Sequence, residues 1–234
     1  MALPVLNAAK YKTIVPSLGK EVEYRPYLVK EEKILMIAME SQDQQQILGA
    51  IKDVISSCVY DDLNVNQLTM FDLEALFLKL RGKSVGETTE IKIKCSHCEV
   101  ENEQLINFEE IKMPVIIKQN NVIALTDDVG VTLGYPSVGG LEKQDQKASS
   151  VEQAMNMIVE CIESIYDADN VYSAKDEGSK SVQAFVDSLN SQQFKKLTAY
   201  FEAMPAVTYD MKFDCISCGK ENELELRGFD NFFG

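Results

Sequence analysis

Two Cys-x-x-Cys pairs lie far apart in this chain, and each belongs to the same longer phrase. The first phrase runs from Thr88 to Glu103, and the second runs from Thr208 to Glu223. An offset of 120 aligns the two phrases, with a threonine, a lysine, both cysteines and a closing Glu-Asn-Glu identical in both. The sequence therefore predicts an internal duplication, and it predicts that the two cysteine pairs meet at one metal ion.

A Cys-x-x-Cys pair on a tight hairpin turn supplies two thiolates, which is half of a tetrahedral zinc site. Such a site has no open position for water, which argues against hydrolytic chemistry. Alternating apolar and polar residues flank each pair, so each unit is predicted to be strand, knuckle, strand. The predicted ligands of one structural Zn²⁺ are Cys95, Cys98, Cys215 and Cys218.

Other interpretations of the four cysteines remain open. They could form two separate redox pairs, structural disulfides or free thiols without metal, or the zinc could bridge two chains. A redox pair is expected at a strand–helix junction, and nothing indicates secretion, so one shared zinc is favoured.

His97 is the only histidine, but Ser217 occupies the matching place, so we interpret His97 as an exposed knuckle residue. Lysines near the pairs could offset the excess charge of four thiolates: Lys92, Lys94, Lys212 and Lys220.

The similarity continues upstream of each knuckle. The phrases 59–61 and 165–167 both contain Tyr-Asp, and an apolar stripe at helical spacing precedes each. Both stripes predict amphipathic helices, in which Cys58 and Cys161 are interpreted as buried apolar residues. The stripes comprise Ile47, Leu48, Ile51, Val54, Ile55, Cys58 and Val59 in the first half, and Val151, Ala154, Met155, Ile158, Cys161, Ile162 and Ile165 in the second.

A further helix is predicted in each half. Thr69-x-x-Asp72 is typical of a capping box, for a helix that should stop near Gly82. Ser191 is predicted to be the N-cap of the second helix, which Pro205 ends. Between the matching phrases the second half carries an insertion, Ser173–Ser181, which is predicted to be an exposed polar loop.

These patterns predict an α+β fold that is internally duplicated. Each half would contain a β-hairpin that ends at a proline, amphipathic helices and a strand–zinc knuckle–strand unit. The two knuckles would meet in a pseudo-twofold, zinc-ribbon-like centre. The predicted domains are an N-terminal arm (1–12), a first repeat with one knuckle (13–112), and a second repeat with the other knuckle and a C-terminal aromatic tail (113–234). The tail phenylalanines would pack on this chain's own core or on a neighbouring subunit: Phe229, Phe232 and Phe233.

Composition excludes several classes of function. The net charge of −14 disfavours nucleic-acid binding, which requires a basic surface. No apolar run is long enough for a membrane span, and the first residues lack the features of a signal peptide. We therefore expect no membrane partner and a reducing cytoplasm. Phosphate-binding motifs of the GxxxxGK[ST] and GxGxxG types are absent from the sequence.

Three phrases resemble the baseplate hub proteins of T4-like contractile-tailed bacteriophages: residues 20–35, residues 47–60, and residues 68–77 followed by the first cysteine pair. The resemblance covers roughly residues 10–112 well and the remainder more loosely. It implies a non-enzymatic subunit of the baseplate hub, or a factor that assembles it. The implied partners are other hub proteins and the tape-measure protein, in a hetero-oligomeric assembly. The implied location is the host cytoplasm during assembly, and the tail baseplate of the virion for a structural subunit.

Two other classes of function are weighed beside this one. A cytoplasmic zinc-ribbon adaptor would bind a protein partner through the Ser173–Ser181 insertion. An enzyme would use carboxylate pairs at Asp61/Asp62 and Asp167/Asp169. The second hypothesis is disfavoured, because short polar residues after a helix usually terminate it and face water.

Overall fold

Helices and short antiparallel sheets alternate along the chain. The computed structural model describes residues 8–114, 121–143 and 149–228. Over these residues the fold is α+β, as the sequence predicted, and it contains eight α-helices. In chain order the elements are β1 (Tyr11–Val15), β2 (Lys20–Tyr24), α1 (Val29–Ser41), α2 (Gln44–Cys58), α3 (Met70–Ser84), β3 (Thr88–Lys94), β4 (Glu101–Asn107), β5 (Val122–Ala124), β6 (Gly130–Leu133), α4 (Val138–Lys143), α5 (Ser150–Cys161), β7 (Ile162–Tyr166), β8 (Val171–Ser173), α6 (Ala174–Glu177), α7 (Ser179–Asp187), α8 (Ser191–Glu202), β9 (Thr208–Asp214) and β10 (Glu221–Arg227).

The chain forms two compact units. Of the described residues, the first unit contains 8–65, 71–114 and 206–228, and the second contains 66–70, 121–143 and 149–205. Both knuckle hairpins therefore belong to the first unit. The predicted boundary between the repeats, at 112/113, is a different kind of division. It describes a duplication of the sequence rather than compact units, and it stays a prediction.

The first unit begins with an antiparallel hairpin, β1–β2, followed by three helices. Asp43 begins α2, because its side chain accepts the free backbone N–H groups of Gln45 and Gln46. The predicted apolar stripe of α2 faces the core, since its buried residues recur every three or four positions. They are Ala50, Ile51, Val54, Ile55 and Cys58.

Two further hairpins complete the first unit, and they share one core. Strand β3 pairs with β4, and β9 pairs with β10, both antiparallel. Period-two alternation places Ile91 and Met211 on the buried faces of β3 and β9. The cluster contains Ala75, Leu78, Ile91, Ile106, Phe108, Ile111, Val207, Met211, Phe213 and Leu226.

The second unit contains a four-stranded antiparallel sheet in the order β5-β6-β7-β8. Helix α5 begins with a capping box between Ser149 and Glu152. Helix α8 begins with another between Asn190 and Gln193. The helices pack on a core that includes Leu133, Ile158, Val182, Val186, Leu197 and Phe201.

Three local predictions are wrong. The helix expected to continue to Ile165 ends at Cys161, because residues 162–166 pair as β7 with strands on both sides. The Ser173–Ser181 loop is instead the end of β8, α6 and the start of α7. The N-cap of α8 is Asn190 rather than Ser191. The predictions for residues 1–7 of the arm and for Phe229, Phe232 and Phe233 lie outside the described residues.

Candidate metal centre

The two knuckles have the same backbone turn. In the first, the Cys95 N–H donates to the Val100 carbonyl at 2.9 Å, and the Glu99 N–H donates to the Cys95 carbonyl at 2.9 Å. In the second, the N–H groups of Cys215 and Gly219 make the equivalent bonds to Lys220 and Cys215, both at 2.9 Å. The residue after the second cysteine of each pair has a left-handed conformation, with φ of 59° at Glu99 and 67° at Gly219. This turn directs both thiols of a pair to one side.

The four predicted cysteines come together, and all belong to one chain. Their sulfur atoms all lie within 4.8 Å of one another. The distance from Cys95 Sγ to Cys218 Sγ is 3.8 Å, and that from Cys98 Sγ to Cys215 Sγ is 3.5 Å. Zinc–sulfur bonds of about 2.3 Å in a tetrahedron place sulfur atoms about 3.8 Å apart. The four thiols therefore fit a tetrahedral Zn²⁺ site in which the protein occupies every position.

The cluster is more buried on one side than on the other. Cys95 and Cys215, the first cysteine of each pair, are buried, whereas Cys98 is partly exposed and Cys218 is exposed. Each buried sulfur accepts the N–H of the residue two positions later, at 3.4 Å from His97 and 3.4 Å from Ser217. The His97 side chain is exposed, as predicted, and lies outside the cysteine cluster.

Two asparagines join the knuckles reciprocally. Asn102, on β4, accepts the Ile216 N–H of the other knuckle at 2.9 Å, and its Nδ2 lies 3.7 Å from Cys215 Sγ. Asn222, on β10, accepts the Ser96 N–H at 2.9 Å, and its Nδ2 lies 3.5 Å from Cys95 Sγ. Each Nδ2 also donates within its own hairpin, to the carbonyls of Val100 and Lys220 respectively. Sequence reasoning assigned these asparagines no role, although both stand four residues after the second cysteine of their pair.

Backbone hydrogen bonds, burial and the neighbouring sulfur atoms shift the pKa values of the thiols in different directions. The N–H groups of Cys218 and Ser217 lower the pKa of Cys215 to about 6, because they stabilise its thiolate. Burial opposes ionisation of Cys95, but the N–H groups of His97 and Cys98 outweigh it and lower its pKa. At Cys98 the N–H of Val100 favours the thiolate, yet burial and the neighbouring sulfurs raise the pKa to about 12. Four thiolates cannot coexist at this spacing without a cation, and a divalent ion reverses that balance.

Two of the four lysines near the knuckles lie close to carboxylates. Lys92 lies 4.0 Å from Glu103, its cross-strand neighbour, and Lys212 forms the equivalent ion pair with Glu223. Both pairs are exposed. Each of these two lysines is thus paired with a carboxylate on its own hairpin, and the expectation that lysines offset the thiolate charge stays a prediction.

The other candidate residues serve as local structure. Burial raises the pKa of Cys58 to about 11 and that of Cys161 to about 12, which is typical of inert buried thiols. Asp61 accepts the Glu23 N–H at 2.7 Å. Asp167 accepts the N–H groups of Asp169 and Asn170, which lower its pKa. Asp61 thus stands just after α2, as predicted, whereas Asp167 lies in the turn between β7 and β8 rather than at a helix end. Both carboxylates accept backbone N–H groups and so have a local structural role.

Comparison with known proteins gives the chain its family. The family described as T4 bacteriophage base plate protein matches residues 8–234, nearly the whole sequence. The chain belongs to this family. Membership identifies it as a viral protein of a bacteriophage tail base plate and indicates a structural role there, in agreement with the sequence resemblance. No curated protein and no solved structure matches the base plate protein significantly. Within the described residues, no helix combines the length and apolar character that a membrane crossing needs.

Proposed function

We propose that this base plate protein is a non-enzymatic structural or assembly component of the baseplate hub, stapled by one structural Zn²⁺. The family match over residues 8–234 supports the base plate role, and the convergence of four thiols from two hairpins that are distant in sequence supports the zinc. The four ligands would be Cys95, Cys98, Cys215 and Cys218. A zinc held by four protein thiolates has no position for a substrate, so the ion contributes folding free energy rather than chemistry. The function then resides in the surfaces that the folded chain presents to its partners.

An internal duplication around this centre is part of the proposal. Both halves begin with a hairpin, a proline and helices and end with a knuckle hairpin, although the second half also contains β7 and β8. The helix that precedes each Tyr-Asp phrase ends at a buried cysteine whose carbonyl accepts an N–H from the residue that follows a hairpin strand. These bonds are Arg25 to Cys58 at 3.0 Å and Gly134 to Cys161 at 2.7 Å. The reciprocal asparagines support a pseudo-twofold relation between the knuckles.

Helix α1 is the surface we propose for contacts with other hub proteins. Its inner face is buried through Leu35 and Ala38, yet its outer face is also apolar. Val29 is 80% exposed, Met36 58% and Ile37 56%. Contiguous apolar exposure of this kind marks protein–protein contacts more often than plain surface. The partners proposed are other baseplate hub proteins and the tape-measure protein, during assembly in the host cytoplasm.

The zinc part of the proposal is tested by metal analysis of the purified, reduced protein. We expect one zinc per chain, and we expect its removal to expose four reactive thiols. Substitution of Cys58 by serine serves as the control, because this buried cysteine lies outside the cluster and should leave the stoichiometry unchanged. Protein that contains no metal while all four thiols react freely would contradict the zinc staple.

The hub part is tested by locating the protein during infection. A tagged chain is expected to co-purify with hub proteins from infected cells, and mass spectrometry of finished particles then separates two versions. Presence in the virion supports a structural subunit, whereas absence supports a transient assembly factor. Failure to co-purify with hub proteins, together with absence from particles, would contradict both versions.

A further inference from the structure

The two knuckle hairpins are joined by contacts that require no ion. Asn102 has no exposed surface and Asn222 is 3% exposed, so each amide must find its partners inside the protein. Each donates to a carbonyl of its own hairpin and accepts a backbone N–H of the opposite knuckle, and Asn222 also accepts the Ser96 hydroxyl at 2.9 Å. A buried amide that lost those partners would incur a desolvation cost, so the arrangement stabilises the paired state.

We propose that Asn102 and Asn222 form a metal-independent clasp, which holds the two hairpins together and assembles the four-thiol cluster before an ion binds. The two contacts are reciprocal, since the asparagine of each hairpin accepts a backbone N–H of the other knuckle. Those N–H groups belong to Ile216 and Ser96, each directly after the first cysteine of its pair. Each asparagine also contacts the sulfur of that buried cysteine through its Nδ2, so the same side chain holds the amide and the thiol.

The core beneath the hairpins supports this inference. Ile91 and Ile106 from one hairpin and Met211 and Leu226 from the other are buried in the same cluster. Small zinc fingers unfold without metal because their cores are too small to hold the chain together. Here burial of these side chains and the clasp both favour the paired hairpins. The metal-free protein should therefore keep the hairpins paired.

The clasp also positions metal ligands, and only this part rests on the proposed zinc site. The Nδ2 groups of Asn102 and Asn222 approach the sulfurs of Cys215 and Cys95, which come from the opposite hairpin. Groups that orient a metal ligand from behind typically change metal affinity about 10–100-fold when removed. Asn102 and Asn222 are thus positioning residues, and each acts on the thiol of the other knuckle.

The clasp is tested first in reduced, metal-free, full-length protein by amide hydrogen exchange. We expect the Ile216 and Ser96 amides to be protected in the natural sequence. Asn102→Ala should release Ile216 while Ser96 stays protected, and Asn222→Ala should do the reverse. Asn107→Ala is the matched control, because this asparagine also lies on β4 and caps a nearby turn through the Glu109 N–H. Lack of protection in the unaltered protein, or loss confined to the substituted hairpin, would overturn the clasp.

Metal binding then tests the positioning role. Competition with a chelator should show Zn²⁺ affinity about 10–100-fold weaker in either alanine variant. The Co²⁺-loaded variants should keep the spectrum of four thiolates. Unchanged affinity would overturn positioning. Absence of metal binding in the natural protein, with the exchange pattern intact, would overturn the zinc function and leave the clasp. Should Asn102→Ala not fold, Asn102→Asp retains the acceptor for Ile216 and lacks the donor to Cys215 and to the Val100 carbonyl, so protection of Ile216 should persist while metal affinity falls. Loss of protection in Asn102→Asp would also count against the clasp.

Discussion

At the scale of single residues, the two knuckles differ at the position that must be left-handed. Glu99 and Gly219 occupy equivalent places with positive φ, and a Cβ on Gly219 would meet nothing within 4 Å. The left-handed region costs a side-chain-bearing residue about 1–2 kcal/mol, of which the flexibility of glycine in the unfolded chain offsets part. We expect Glu99→Gly to stabilise the protein by up to about 1 kcal/mol and Gly219→Ala to destabilise it by about 1 kcal/mol.

Denaturant unfolding of the two single variants measures this difference. Both substitutions lie beside a cysteine of the cluster, so the comparison is made on metal-free, reduced protein. A change of the same sign in both variants would contradict the backbone explanation, because the turn is the same in both knuckles and only the residue differs.

At this scale, the sequence indicated which residues form the site better than it indicated which residues contact one another. The convergence of four cysteines was predicted from two matching Cys-x-x-Cys phrases, because each phrase supplies two of the four ligands of a tetrahedral site. Their role as metal ligands stays a prediction. Asn102 and Asn222 were visible as matching letters, but their partners Ile216 and Ser96 lie on the other hairpin. Hydrogen bonds between distant segments have no local spacing that a sequence pattern can detect.

At the scale of elements, the N-cap observed for α8 is not the residue that the sequence predicted. The Asn190 side chain accepts the N–H groups of Gln192 and Gln193 at 2.9 and 3.0 Å, whereas Ser191 is the first residue of the helix. Removal of an N-cap side chain costs about 1 kcal/mol. Asn190→Ala should therefore destabilise the protein by about that amount, while Ser191→Ala should be neutral or slightly stabilising, since alanine favours helices. Thermal unfolding of both variants checks the ranking, and equal losses would contradict Asn190 as the cap.

Helix α1 carries the element-scale prediction about partners. Replacement of Met36 or Ile37 by glutamate places a charge on the exposed apolar face without disturbing the buried side of the helix. We expect each variant to keep its unfolding temperature and to lose at least tenfold in recovery of hub proteins by co-purification. Val151→Glu is the control, because Val151 is also an exposed apolar residue on a helix. Equal recovery with all three variants would exclude α1 as the contact surface.

Element boundaries were predicted well where helical apolar spacing was the one pattern present. They were predicted poorly where that spacing ran into residues that favour a strand. The stripe of α2 ends at Val59, one residue after the helix. The stripe of α5 continues in sequence through Ile162 and Ile165, but those residues form β7, since β-branched residues pack well in a strand flanked on both sides. The Ser173–Ser181 segment contains no buried residue, so its composition resembles that of a loop. The helix that begins at Ser179 buries Val182 and Val186, and both lie beyond this segment.

At the scale of the whole molecule, the two compact units should respond differently to metal removal. Both knuckle hairpins lie in the first unit, and a bound ion stabilises only the structure that holds its ligands. Treatment of reduced protein with a chelator should therefore accelerate amide exchange in 88–107 and 208–227. Exchange in 150–202, which contains the core of the second unit around Ile158 and Leu197, should stay unchanged.

Hydrogen exchange with mass spectrometry measures both regions in one experiment. Cys218→Ser supplies a variant control, because this thiol is the most exposed of the four and its loss should leave the packing of the hairpins intact while removing one ligand. The variant should resemble the chelated protein, and chelator should change it little further. Acceleration of similar size in both regions would show that the molecule unfolds as one cooperative body, and the staple would then stabilise the whole chain rather than the unit that contains it.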